Sequence, residues 1–273
     1  MKKRLFSKPF IYTILILYAV ITFIPFLWAI LSSFKSLEEI VSGITFLPET
    51  FTFDNYIQIF SQEPLFLRWM FNSIFITACM VFLNIIFNSM AGYALARIKF
   101  AGRKFWFFLI LVVLMIPFQV TLIPSYLILK MFGWLNTYQG LIIPGMVNAT
   151  FIFMMRQFFL NFPKELEEAA QMDGLSRIGT FFKIVMPLAK PALAAQAVFI
   201  FMSSWNDFMR PLIIMSDEEM FTLTLGLNTF KGQYISFWNL IMAASTLMTI
   251  PSLLIYAFFN RYFIKGVTFT GGK

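Results

Sequence analysis

Long uninterrupted runs of apolar residues constrain this chain more than any other feature of its sequence. Each run is about 20 residues long, which is the length that an α-helix needs to cross the roughly 30 Å hydrocarbon core of a bilayer. Only 12% of the 273 residues are charged, against about 25% in soluble domains. The sequence therefore predicts an all-α membrane protein with six transmembrane helices. The runs cover about residues 11–34, 71–95, 105–129, 140–159, 192–215 and 240–259.

The positive charge of the chain indicates how these helices are oriented. Most of the 21 Lys and Arg residues fall at the two ends and in the second and fourth connecting segments. The positive-inside rule therefore assigns both termini to the cytoplasm. We predict a cytoplasmic N-terminus (1–10), a membrane domain (11–262) with a cytoplasmic loop (161–190) and an external loop (216–238), and a cytoplasmic tail (263–273). The first apolar run exceeds the 7–15 residues of a signal peptide and is expected to stay uncleaved.

Several kinds of chemistry are missing from the sequence. The chain has no histidine and one cysteine, and it shows no metal-ligand cluster, no carboxylate pair and no nucleophile–base set. Gly271-Gly272-Lys273 ends the chain without the helix that a phosphate-binding loop requires. We expect no enzyme activity, no metal and no cofactor bound by this chain, so energy must come from a partner or an ion gradient. The basic charge indicates topology and membrane-lipid contact rather than nucleic acid.

The 161–190 loop is the longest polar interruption in the C-terminal half. Pro163 suits the first position of a helix, and Gly174 suits its end, which predicts an amphipathic helix of about 11 residues. The face with Ala170 and Gly174 is nearly bare of side chain, so another surface could approach it closely. A plain solvated acidic helix is the alternative. Acidic residues in the first turns are Glu165, Glu167 and Glu168, and the apolar stripe is Leu166, Ala169 and Ala170.

A spaced motif in this loop resembles a known family. Glu168-Ala169-Ala170, then Gly174, then Ile184-Val185-Met186-Pro187 resembles the EAA loop of binding-protein-dependent ABC transporter permeases, except that Met186 stands where the family usually has Leu. In that family the loop is a cytoplasmic coupling helix, between spans 4 and 5, that sits in a groove of the ATPase subunit. The resemblance implies these ATPase-coupling residues: Glu168, Ala169, Ala170, Met172, Asp173, Gly174, Leu175, Ile184 and Pro187.

The resemblance extends over most of the chain and is to carbohydrate-uptake permeases. Phe51–Tyr56, Ala91–Arg97, Trp205–Phe208 and Arg261–Gly266 resemble the first external loop, second-span exit, fifth span and tail of the shorter, six-span partner in maltose-type pairs. This implies a type I ABC importer permease in a bacterial inner membrane. The implied partners are a second permease in a heterodimer, two ATPase subunits that bind ATP, and an extracytoplasmic sugar-binding protein.

Part of the external loop matches the segment that contacts the binding protein in this family. The residues so implied are Asn228, Thr229, Phe230, Gly232 and Gln233. They are mostly small, polar and turn-prone. An ordinary surface loop is the alternative interpretation.

Polar residues inside the apolar runs are candidates for a translocation path. They are Asn84, Asn88, Asn148 and Asp207, and hydrogen bonds between helices are the alternative role. Asp207 could also carry a proton in a secondary transporter, but Arg210 follows one turn later and indicates an ion pair. A channel or membrane scaffold is a third class, which would leave the 161–190 loop without a role.

Overall fold

Almost all of the described chain is helical in the computed structural model, which covers residues 8–232 and 236–270, with side chains as far as residue 259. The one β pairing in these ranges is an isolated bridge between Lys231 and Ser236. This confirms the predicted all-α class. The helices as far as the middle of the 161–190 loop are α1 (Lys8–Ser32), α2 (Leu37–Ser42), α3 (Asp54–Gln62), α4 (Phe66–Arg97), α5 (Arg103–Leu114), α6 (Phe118–Met131), α7 (Tyr138–Ile142), α8 (Ala149–Leu160) and α9 (Lys164–Met172). The remainder are α10 (Arg177–Thr180), α11 (Met186–Leu188), α12 (Lys190–Trp205), α13 (Met209–Ile214), α14 (Leu223–Gly226) and α15 (Trp238–Thr270).

Four helical stretches are long and apolar enough to cross a bilayer alone. They are Lys8–Ser32, Phe66–Arg97, Tyr138–Leu160 and Trp238–Phe259. Two further stretches are sharply bent pairs: α5 meets α6 at 103°, and the α10–α11 stretch meets α12 at 78°. The described chain therefore has six spans only if each bent pair counts as one, and the number six stays a prediction.

The third and fifth apolar runs are each broken into two helices. In the third run the break falls at Pro117, one of the prolines expected from the sequence to kink or break a helix. Helix α5 ends at Leu114, and Pro117 stands at the start of α6, because proline has no N–H to continue the ladder. Helix α12 ends at Trp205, and α13 begins only at Met209. Asp207 therefore lies in a break between two helices rather than within a span.

One compact unit comprises residues 1–67 and 226–251. Buried polar contacts fix the segment that connects α1 to α3 in this unit. The Lys35 ammonium is buried and donates to the backbone oxygen and the hydroxyl of Thr45, at 2.6 and 2.7 Å. The Asn55 amide donates to the Ser33 and Lys35 carbonyls, both at 2.8 Å, and Asn239 of α15 donates to Asn55 at 2.7 Å. Satisfied amides of this kind fix backbone that has no regular ladder.

The other unit comprises residues 68–225 and 252–273, and it contains two apolar clusters. One joins α4 to α7, α12 and α13. The second joins the C-terminal end of α4 to α8 and to the chain that follows α8, and so positions the 161–190 loop. Its buried members are Tyr93, Ala96, Met155, Phe159, Phe162, Phe181, Val185 and Ala189.

Gly92 allows α4 and α8 to approach each other at this second cluster. A Cβ atom at Gly92 would lie 2.8 Å from Met155 Cβ and 2.9 Å from the backbone nitrogen of Arg156. The second contact is to helical backbone, which cannot move aside as a flexible side chain does. The spacing of α4 and α8 therefore depends on the missing side chain.

We predict that Gly92→Ala lowers the thermal unfolding midpoint of the purified protein. Alanine favours helix by about 1 kcal/mol over glycine, but overpacking against backbone costs about 1–3 kcal/mol. Gly43→Ala is the control, because a Cβ there meets nothing within 4 Å. A midpoint for Gly92→Ala equal to or above that of the unaltered protein would show that the two helices separate freely.

Candidate functional site: the 161–190 loop

Helix α9 is the central element of the 161–190 loop, and backbone hydrogen bonds at Gly174 end it. Gly174 has φ of 82°, a left-handed conformation that glycine adopts without strain. The Gly174 N–H donates to the Gln171 carbonyl and the Leu175 N–H to the Ala170 carbonyl, both at 3.0 Å. These two bonds form a Schellman motif. The predicted stop at Gly174 is confirmed, while the helix begins at Lys164, one residue after Pro163.

A buried acidic residue attaches α9 to the end of α4. The Glu167 side chain is about 90% buried; its Oε1 lies 2.9 Å from Nε of Arg97. Its other oxygen, Oε2, accepts a 2.8 Å hydrogen bond from the Tyr93 hydroxyl. Arg97 also donates to the Phe162 carbonyl, just before α9. A charge-assisted pair that is shielded from water is stronger than an exposed one, so these contacts fix both the position and the rotation of α9.

Aromatic rings pack directly beneath this polar contact. The Tyr93 ring lies 5.6 Å from that of Phe159 on α8 and 5.0 Å from that of Phe181, measured between centroids. Both phenylalanines are buried, as is Val185 four residues further on. Tyr93 thus takes part in both contacts: its ring packs in the apolar cluster, and its hydroxyl donates to Glu167 of the ion pair.

The second half of the loop leads into α12 through an irregular helix. Ser176 caps α10 by accepting from the Gly179 N–H at 3.1 Å. Residues Phe181–Val185 form a π-helical turn between α10 and α11. Ala189, which is fully buried, then marks the 78° bend into α12. Turns of this wider type occur often at functional sites.

The exposed face of α9 differs from the one that the sequence predicts. Ala170 is only 4% exposed and lies against the fold, so the expected open Ala170 surface is wrong. The reason is the buried Glu167, which sets Ala170, three residues later, on the same inward side. The outward face carries Glu168, Ala169 and Met172, and the Met172 side chain is 88% exposed.

The other predicted coupling residues lie at different depths. Asp173, Gly174 and Pro187 are exposed, whereas Leu175 and Ile184 are half-buried. A Cβ at Gly174 would meet nothing within 4 Å. One edge of α9 and its C-terminal turn are therefore open to another protein surface.

Three of the four predicted path residues line a cavity of about 370 Å³ between α4, α8 and α12; they are Asn84, Asn148 and Asp207. Asn84 donates to the Gly145 carbonyl at 2.8 Å, and Gln196 donates to the Asn84 carbonyl at 3.0 Å. Asn88 does not line the cavity; it donates to Asn84 and accepts from the Asn148 N–H, both at 2.9 Å. These amides therefore support the break before α8, where Asn148 is the N-cap.

Asp207 makes an ion pair with Arg210 at the other side of the same cavity, as the sequence predicts. The backbone N–H of Arg210 also donates to Asp207, at 3.3 Å. Among the described residues, no group of three or more His, Cys, Asp and Glu side chains is arranged to hold a metal ion.

The predicted binding-protein contacts fall in a segment of short helices. Asn228, Thr229 and Gly232 are exposed, and Phe230 is only 3% exposed. The Phe230 side chain therefore contributes to packing in this conformation and is not presented at the surface. Gln233 lies outside the described residues.

Comparison with known proteins identifies the chain. A family model described as "Binding-protein-dependent transport system inner membrane component" matches residues 88–269. The chain belongs to this family. The match begins within α4 and includes the whole 161–190 loop, so it covers both the anchored helix and the aromatic cluster beneath it.

Individual relatives extend the similarity of this permease to its full length. It is 40% identical to the arabinooligosaccharides transport system permease protein AraQ of Halalkalibacterium halodurans, over 99% of both chains. It is 34% identical to the trehalose/maltose transport system permease protein MalG of Thermococcus litoralis, over 93% of this chain and 92% of that one. A chain in the crystal structure of a bacterial ABC transporter involved in the import of the acidic polysaccharide alginate superposes with a TM-score of 0.85, at 25% identity over 96% of this chain and 100% of that chain.

Sequence reasoning missed the residues that hold the loop of the permease. In the sequence, Glu167 is one of three acidic residues in the first turns of a predicted helix, and Tyr93 and Arg97 belong to the resembling segment Ala91–Arg97. Glu167 lies 74 residues after Tyr93 in the chain, so no local pattern connects them. The signal that exists is a tyrosine and an arginine at i and i+4 where an apolar run ends.

We predict that Glu167→Gln loosens the 161–190 loop while Glu165→Gln does not. Removing one partner leaves Arg97 buried without its counter-charge, which costs about 3 kcal/mol or more. Glu165 is exposed on the same helix and has the same charge change. Limited trypsin digestion after Lys164 or Arg177 measures this opening, and equal cleavage rates for the two variants would contradict the anchoring role.

Proposed function

We propose that this chain is one permease subunit of an ATP-driven importer for a sugar or oligosaccharide in a bacterial inner membrane, with both termini in the cytoplasm. It pairs with a second permease, and two ATPase subunits bind the ATP. A binding protein delivers the cargo from outside. Family membership supports the transport system, and the names of the relatives, which include arabinooligosaccharides and trehalose/maltose, support the sugar cargo.

The observation that carries this proposal is a firmly held helix whose outer edge has no partner in the described chain. Helix α9 is fixed on one side by Glu167, and it presents Glu168, Ala169 and Met172 on the other. A highly exposed methionine beside a small residue suits an adaptable contact with another protein surface. We assign this edge to the groove of an ATPase subunit.

Helix α4 connects the proposed ATPase contact on α9 to the cavity lined by Asn84. Tyr93 and Arg97 hold α9, and Asn84 lines the cavity two and a half turns earlier on the same helix. At 1.5 Å per residue, Asn84 and Tyr93 are about 14 Å apart along the axis. A displacement of α9 by the ATPase moves the C-terminal end and the middle of α4 together, which biases the cavity between two states.

The composition of the cavity suits an uncharged, hydroxyl-rich cargo. Ser203, Ser204 and Asn148 offer hydrogen-bonding groups, and Phe118 and Phe151 offer apolar surface. Asp207 and Arg210 neutralise one another there. We propose that Asn84, Asn148 and Asp207 belong to the translocation path, and that exposed Asn228, Thr229 and Gly232 contact the binding protein.

We expect Ala169→Trp to abolish ATPase docking, because a large side chain on the outward edge of α9 blocks close approach. The variant is tested in a tagged chain co-expressed with the second permease, ATPase and binding-protein subunits of its own transport system. Ala101→Trp is the matched control, since Ala101 is also exposed but lies in the turn between α4 and α5. Copurified ATPase subunit and ATP turnover are measured; full docking by Ala169→Trp would refute the assignment.

The C-terminal turn of α9 is tested by two substitutions at Gly174. Leucine is strained at φ of 82°, whereas asparagine tolerates this conformation. We expect Gly174→Leu to lose most of the ATPase activity that the binding protein stimulates, and Gly174→Asn to keep most of it. Equal activities in the reconstituted transporter would show that this turn does not transmit the closure.

A further inference from the structure

A cavity of about 740 Å³ lies between the end of α4, the turn before α5, and helices α9 and α10. Glu168 of the outward edge of α9 also lines this cavity, and the proposed translocation path does not use it. Its lining is dominated by long charged side chains. The cations are Arg97, Lys99, Arg103, Lys164 and Arg177, and the acids are Glu167 and Glu168.

The charges in this cavity do not balance. Arg97 is neutralised by Glu167, which leaves four cations against Glu168. Arg103 donates one long hydrogen bond, of 3.3 Å, to the Ile98 carbonyl. Within the described residues the charged groups of Lys99, Lys164 and Arg177 have neither an ion-pair nor a hydrogen-bond partner. Cations that converge on one concave site without counter-charge are suited to an anion with several acceptor oxygens.

Exposed aromatic side chains stand beside the cavity at the start of α5. Phe105 and Trp106 lie two and three residues after Arg103 and are both more than half exposed. Tryptophan and other amphipathic rings concentrate at the headgroup level of a bilayer. The α4–α5 turn and the 161–190 loop also belong to the segments that the positive-inside rule assigns to the cytoplasm. The cavity therefore opens at the depth of the phosphate layer of the inner leaflet.

We propose that this cavity binds the phosphate group of an anionic phospholipid. Basic pockets between membrane helices on the cytoplasmic side are suited to such headgroups. A bound phosphate joins Lys99, in the turn after α4, and Arg103, at the start of α5, to Lys164 of α9 and Arg177 of α10. It thus stabilises the seated position of the 161–190 loop. This site does not depend on which cargo the permease carries.

The test compares lipid binding by two double variants of the full-length chain in a neutral detergent. Lys99→Gln with Lys164→Gln removes two cavity cations. Lys104→Gln with Lys183→Gln removes the same charge from two exposed lysines of the same segments that do not line the cavity. The probes are phosphatidylglycerol, phosphatidylcholine and inorganic phosphate, and bound lipid is counted by native mass spectrometry.

We expect the unaltered chain to bind phosphatidylglycerol in preference to phosphatidylcholine. The cavity variant should bind it about thirtyfold more weakly, since each of the two basic residues contributes about 1 kcal/mol near a surface. The control variant should bind within about twofold of the unaltered chain. If phosphatidylglycerol binding were weakened equally in both variants, general surface charge would account for the binding, and the proposed site would be wrong. Displacement of the lipid by inorganic phosphate at equal concentration would assign the cavity to a free anion and overturn the lipid proposal.

Discussion

The contact of Glu167 with Arg97 and Tyr93 is the interaction on which the rest of this site depends. It joins residues 74 positions apart, and it is shielded by the rings of Phe159 and Phe181. A buried carboxylate needs both a counter-charge and a hydrogen-bond donor, because either alone leaves part of its desolvation uncompensated. The arrangement determines which face of α9 is buried and therefore which face another protein can reach.

Helix α4 contacts both the 161–190 loop and the cavity around Asn84. It could therefore connect the proposed ATPase contact to that cavity. The end of α4 holds the 161–190 loop, and its middle supports the amides around Asn84. Close packing against α8 through Gly92 leaves little room for the helix to bend between them. Membership of a binding-protein-dependent transport family favours an importer permease over a secondary transporter.

Features that depend on a few neighbouring residues can be predicted from this sequence, whereas contacts between residues far apart in the chain cannot. Apolar length predicted the helices, Gly174 predicted the end of α9, and Arg210 predicted the partner of Asp207, since each depends on a few neighbouring residues. The break near Pro117 agrees with the expectation for a proline in an apolar run, whereas Pro124 is accommodated within α6. Both prolines have the same local signal, so the sequence does not distinguish the two outcomes. The inward position of Ala170 could not be predicted, because it follows from the pairing of Glu167 with a helix far away in the chain.

The π-helical turn at Phe181–Val185 makes the loop unevenly tolerant of changes in length. Its hydrogen bonds span five residues instead of four, so the turn contains one residue more than an α-helical turn. Deleting one residue there leaves an ordinary α-helical turn and keeps the facing of α12. Deleting one residue within α12 instead rotates everything beyond it by about 100°, which would turn Gln196 and the cavity-lining serines away from α4. Length variation in this region is therefore expected to be concentrated in that single turn.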